Sequence, residues 1–132
     1  MKFLVLVDFL PDAFADATPD DQRRLDDATI AHDRKLRDGG HLLIASPLRD
    51  PSTTVTIDRR LGLSLDRIDG PYAEAKEVIG GFLLIEAADM ASAKALFDDD
   101  PITRYGRLQI RPLMEEHRHS ETGEGRPDFK AL

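Results

Sequence analysis

GGFLLIEAADMASAKALFDDDPITRYGRLQIRP, from Gly80 to Pro112, reads as strand, helix, strand. Phe82 to Glu86 (FLLIE) is a short apolar run opened by a glycine pair, which predicts a buried strand. Met90, Ala93, Lys94 and Phe97 recur at helical spacing, so Asp89 to Asp99 is expected to be a helix stopped by Pro101. In Arg107 to Pro112, Leu108 and Ile110 fall on one face and Gln109 and Arg111 on the other, the alternation of a last, half-buried strand.

The same order stands at the other end of the chain. Lys2 to Phe9 (KFLVLVDF) is an apolar, β-branched and aromatic run closed by Pro11 and Asp12, and predicts a first strand. Thr18-Pro19-Asp20-Asp21 then supplies an N-cap, a proline at the first helical position and acids at the positive end of the helix dipole. The helix is expected to reach Asp38, where Gly39-Gly40 offers a C-terminal stop. His41 to Ser46 (HLLIAS) predicts a second strand ended by Pro47, with His41 exposed at its start. Between the halves, Thr53 to Ile57 and Ser64 to Ile68 read as further strands, and Asp69-Gly70-Pro71 as a tight turn. Gly80-Gly81 lacks a Walker lysine and a strand–loop–helix setting, so it is not a phosphate loop.

Strand, helix, a meander of strands, helix, strand favours an α+β fold of the ferredoxin-like, split βαβ kind: an antiparallel sheet with two helices on one face. One layer of helices leaves the other face bare, so a homodimer is the expected cover. The 132 residues suit one domain, at 41% hydrophobic and 33% charged. Residues 1–114 carry the domain, and the polar tail at 115–132 is expected to be mobile or to order on a partner chain. The absence of cysteine excludes disulfides, thiolate metal sites and a cysteine nucleophile. A net charge of -7 argues against a nucleic-acid partner. No apolar run is long enough to cross a membrane, and the N-terminus has no signal-peptide pattern, so a cytoplasmic location is expected.

DGPYAEAKEVIGGFLLIEAADMASAKALF (Asp69 to Phe97), GGHLLIASPL (Gly39 to Leu48) and DDDPITRYGRLQIRPL (Asp98 to Leu113) together resemble the YCII-related, DGPF-type family, with Tyr72 where the family name has Phe. The resemblance implies a ferredoxin-like subunit that pairs through its sheet into a dimeric α/β barrel around a cleft for a small molecule. It implies no cofactor. For most of the family no reaction is established; a few relatives look like enzymes on small ring compounds, including elimination of chloride, with a His–Asp pair at the centre. Many members are encoded beside alternative sigma factors, which implies a second reading, a non-catalytic ligand-binding or regulatory module.

His32 is the leading candidate for chemistry. Leu25, Ala28, Thr29, His32 and Leu36 recur at three- and four-residue spacing, which turns the imidazole toward the sheet. There it suits either acid–base work or a structural bond to a backbone carbonyl, and both readings stand. His32 also matches the family's helix histidine, Ala31-His32-Asp33-Arg34-Lys35-Leu36 here. The resemblance makes Asp100, before Pro101, its acid partner. The topology cautions against this, because a second helix antiparallel to the first would carry Asp100 toward the start of the first helix. Asp98 and Asp99 read as solvated surface charges. Ser46, Asp69, Tyr72 and Arg104 are candidate substrate-binding groups around a cleft, each with a plain turn, strand-end or loop alternative. His117 and His119 sit in the polar tail, and no metal site is expected.

Overall fold

The computed structural model describes residues 1–60, the backbone of 65–68, and residues 77–127. Strand β1 (Lys2–Phe9) leads into helix α1 (Pro19–Asp38) and strand β2 (Leu42–Pro47). A short hairpin follows, β3 (Val55–Asp58) with β4 (Leu65–Ile68), then β5 (Val78–Glu86), α2 (Met90–Ala95) and β6 (Arg107–Pro112). The main sheet has the order β2-β5-β1-β6, and every neighbouring pair is antiparallel. Two strand–helix–strand units thus interleave, each lending one central and one edge strand, which is the split βαβ plan.

Helix α1 forms where its end signals stand. The Thr18 side chain accepts from the Asp21 N–H and the Asp21 carboxylate accepts from the Thr18 N–H, a reciprocal capping box. At the other end Gly40 adopts φ +82°, and the N–H groups of Gly40 and His41 return to the carbonyls of Arg37 and Leu36. That pair of bonds is a Schellman stop, and the positive φ is what calls for glycine at Gly40.

The strand register separates the two faces of the sheet. Phe3, Val5 and Val7 lie opposite Ile85, Leu83 and Gly81. These side chains pack with Leu36 of α1 and with Ala93 and Phe97 of the second helical segment, so both helices cover one face. Phe3, Val5 and Ile85 are fully buried there. Leu4, Leu6, Phe82 and Leu84 point to the other face, which no helix covers among the described residues, although Leu84 is itself buried. At one end of that face, buried Asp8 accepts hydrogen bonds from Arg107 and Gln109, and Arg107 also pairs with Glu77. Pairing the carboxylate twice offsets the cost of its burial.

Several expectations need correction. The strand predicted at Thr53 to Ile57 begins at Val55, after a 3-10 turn over Pro51–Thr53 capped by Asp50. It pairs only with β4, as a separate two-stranded sheet rather than a continuation of the main one. His41 is half-buried, its Nδ1 2.9 Å from the Glu86 carbonyl oxygen.

Gly80-Gly81 lies inside β5 rather than before it. Gly80 sits at a register shift, with Val7 opposite Gly81 and Asp8 opposite Ile79, as the extra residue of a β-bulge. Space rather than φ demands glycine there, because a Cβ would strike the Phe9 ring. Gly106 takes the opposite edge of that ring, so Phe9 is held between two glycines. Phe14 stands 5.0 Å from Phe9 between ring centroids and stacks on Tyr105 at 5.4 Å.

Helix α2 is also shorter than its spacing predicts. Asp89 caps it through the Ser92 N–H, but the helix ends at Ala95 and the chain tightens into turns as far as Asp99. Three aspartates at the negative end of a helix dipole oppose its continuation, and the turn swings Phe97 into the core. Beyond Met114 the chain folds on itself, with Arg118 donating to the carbonyls of Glu115 and His117 and bridging to Gly125. Among the described residues no helix is long and apolar enough to cross a membrane.

Candidate active site

A cavity of about 570 Å³ lies between α1 and the ends of β1, β2 and β5. Phe9, Phe14, Leu48 and Ile102 contribute apolar wall. Its polar wall comes mainly from α1, where Gln22, Asp26, Thr29 and Asp33 follow one another at four-, three- and four-residue steps along one stripe. Asp100 closes the inner end.

Behind this wall lies His32. The α1 side chains that are buried are Leu25, His32 and Leu36, with Thr29 half-buried between them; Ala28, expected on the same face, is exposed. The imidazole is only 6% exposed and meets the Phe97 ring at 6.0 Å between centroids. Its Nε2 lies 3.1 Å from the Leu96 carbonyl oxygen and 3.4 Å from Asp99 Oδ1. A carbonyl only accepts, so Nε2 carries the hydrogen and donates it. The other nitrogen, Nδ1, is buried without a hydrogen-bond partner, and the nearest charged atom is Asp100 Oδ2 at 3.7 Å. That separation is longer than a hydrogen bond.

Asp100 is itself 6% exposed and anchored from the opposite side. Its Oδ1 accepts from the Ile102 N–H at 3.0 Å, capping the 3-10 turn Pro101–Arg104, while Oδ2 is left toward the imidazole. The early end of α2 answers the topological objection. With the helix stopped at Ala95, the chain doubles back, and Asp100 arrives beside the middle of α1 instead of its start.

Asp33 was not singled out from the sequence. Burial pushes its carboxyl above the ordinary carboxylate value, the Asp100 charge adds to the rise, and His32 opposes it. Its signal was present: Gln22, Asp26, Thr29 and Asp33 form a second helical stripe alongside the buried one. Asp99 is more than a solvated charge. It pairs with Lys35 at 3.0 Å, which holds its carboxyl below the ordinary range, and it flanks the Nε2 edge of His32.

The remaining candidates divide. Ser46 lines the cavity, though its hydroxyl donates to the Pro47 carbonyl at 2.9 Å. Arg104 is exposed at the end of the 3-10 turn and does not line the cavity, although Ile102 of the same turn does. Asp69 and Tyr72 lie outside the described residues, as does the turn at Gly70-Pro71. His119 Nδ1 accepts two N–H groups of its own tail. No group of three or more metal-ligating side chains occurs among the described residues.

Three carboxylates, Asp26, Asp33 and Asp100, therefore face the cavity, and no Lys, Arg or His lines it among the described residues.

In comparison with known proteins, residues 1–117 match the family model described as the YCII-related domain. No curated protein matches the chain. Among solved structures, the 5-chloro-2-hydroxyhydroquinone dehydrochlorinase of Burkholderia phenoliruptrix AC1100, in complex with 2,5-dihydroxybenzoquinone, is similar with a TM-score of 0.48. That alignment has 19% sequence identity and covers 86% of this chain and 93% of the other.

Proposed function

The chain belongs to the YCII-related family, and from that premise we propose that it is a cofactor-free enzyme moving a proton on a small, ring-sized compound. The reaction class is an elimination, in its simplest form loss of chloride. One observation carries the proposal: a buried imidazole nitrogen without a partner faces a carboxylate that forms the cavity wall.

Asp100 lies at the cavity surface and His32 behind it, so the carboxylate is the group that meets substrate. It takes a proton from carbon, the C–H electron pair becomes the new double bond, and the leaving group departs with its bonding electrons. The proton then passes to Nδ1 of His32, the one ring position not already bonded. Leu96 fixes the tautomer through Nε2, and Asp99 faces the positive charge that forms on the ring.

A second copy of the chain completes the proposal by covering the open face at Leu4, Leu6 and Phe82. Light scattering at micromolar concentration is expected to give the mass of a dimer, and a stable monomer would overturn that part.

Chloride release from a panel of chlorinated ring compounds, with neutral, anionic and cationic members, tests the chemistry. His32→Gln and Asp100→Asn are each expected to slow turnover by roughly 10²–10⁴-fold while remaining folded. Turnover by either variant at the rate of the unaltered protein would refute the assignment.

A further inference from the structure

The charge of the cavity is one-sided. Asp26, Asp33 and Asp100 face it, the other polar lining groups are neutral, and no cationic side chain lines it among the described residues. Phe9, Phe14, Leu48 and Ile102 enclose the same space. A cleft with low-dielectric walls and charge of one sign concentrates the opposite sign within it.

Two further observations indicate that this charge lacks a counterpart. Burial and the neighbouring Asp100 both hold the Asp33 carboxyl above its ordinary value, the mark of negative charge held partly out of water beside more of the same. His32, buried to 6% exposure, leaves Nδ1 unpartnered at the back of the same wall. Among the described residues, no Lys or Arg side chain lines the cavity beside Asp33.

A metal ion does not meet this requirement. Asp26 and Asp33 are two turns apart on α1, about 10 Å along the axis, too far for both to ligate one ion. An organic cation fits better, because its charge can sit at one carboxylate while its body lies along the aromatic wall. Phe9 and Phe14, 5.0 Å apart, both line the cavity and give it aromatic surface for such a group.

We propose that the cavity takes a small amphipathic ligand bearing a protonated nitrogen, paired with Asp33 and lying against the Phe9 and Phe14 rings. This rests on the reading of the same cavity as the substrate site and narrows its substrates to ring-sized amines. Anions are rejected by three carboxylates, and a neutral ring compound forgoes the ion pair. Asp33 acts in binding, whereas Asp100 and His32 act on the proton, so the two roles separate by mutation.

The test is calorimetric binding of two probes matched in size, 2-phenylethylammonium and phenylacetate, to the full chain at neutral pH. The cation is expected to bind at least about tenfold more tightly than the anion. Asp33→Asn is expected to cut that preference at least about fivefold. His32→Gln is expected to leave the preference intact while slowing turnover by roughly 10²–10⁴-fold. Equal or tighter binding of phenylacetate would overturn the proposal, as would an unchanged preference in Asp33→Asn or no binding of the cation up to about 10 mM. If cation preference fails while turnover still depends on His32, only the ligand class is wrong. If the preference holds while His32→Gln turns over normally, the catalytic assignment fails and the binding site stands.

Discussion

Replacing Gly80 with alanine tests how the cavity is shaped. An added Cβ would meet the near edge of the Phe9 ring, 2.5 Å from Cε2, where ordinary contacts begin at 3.4 Å. The ring must therefore retreat by about an ångström, and overpacking of this kind costs ~1–3 kcal/mol. Replacing glycine within a strand by alanine returns ~0.5–1 kcal/mol, so a net loss of up to ~2.5 kcal/mol, centred near ~1 kcal/mol, is expected. Because the obstacle is a side chain, shortening it should remove the penalty. In a Phe9→Leu background only the glycine gain remains, so Gly80→Ala is expected to stabilise by ~0.5–1 kcal/mol, a coupling equal to the overpacking cost of ~1–3 kcal/mol.

Gly106→Ala is the control. Its Cβ would strike the backbone carbonyl of Asp8 as well as the far edge of Phe9, and Phe9→Leu leaves that carbonyl in place. Its loss is expected to persist in both backgrounds. Urea unfolding followed by circular dichroism, with midpoints compared at constant slope, reads all five variants. A Gly80→Ala penalty that is the same with and without the Phe9 ring would refute the reasoning, as would rescue of Gly106→Ala by Phe9→Leu.

Asp33→Asn is predicted to stabilise the fold at neutral pH. Because the folded-state pKa is raised, the charged carboxyl costs stability above it, and the advantage of Asn should fade as pH falls below the unfolded value of 3.8. Thermal melts across pH check this, and a destabilised variant at neutral pH would contradict it. Thr18→Ala should cost ~1 kcal/mol by loss of the cap. Asp21, held below its ordinary value first by the Thr18 backbone bond, contributes stability above the unfolded pKa that is lost as pH falls through the folded one. Asp21→Asn, which removes the titrating carboxyl that accepts from the Thr18 N–H, should therefore show a weaker acid dependence in chemical unfolding, and an unchanged acid limb would count against the capping box. Long-range nitrogen-15 spectra of His32 should show hydrogen on Nε2 in the neutral ring; the Nδ1–H tautomer would displace the proposed proton path.

Local signals made much of the fold legible. The ends of α1 could be placed from Thr18-Pro19 and Gly39-Gly40 because capping bonds are made within a few residues of chain. β1 and β6 were equally plain, since apolar runs and alternation record burial directly. The end of α2 was harder. Helical spacing continues through Phe97, while the unfavourable dipole end and the pull of the core act against it, and only their balance sets Ala95 as the last residue. Where β3 pairs was not legible either, because a β-branched run shows that a strand forms but not which edge receives it.

For the site, helical periodicity was enough to turn His32 inward, because the direction of a side chain on a helix follows from 3.6 residues per turn. Asp33 was missed because an acid one residue away from a buried histidine normally faces water; it meets the cavity here because the wall of that cavity is a second stripe on the same helix. By itself, then, the chain determined its strand and helix order and the inward histidine, both written in local spacing, and its family, written in the segments that resemble it. Only the tertiary structure decided that Asp100 stands between His32 and the cavity, and that the described lining carries carboxylates with no cation. Those are distances between segments more than sixty residues apart, set by where α2 stops and by how the strands stack, and no local pattern encodes them.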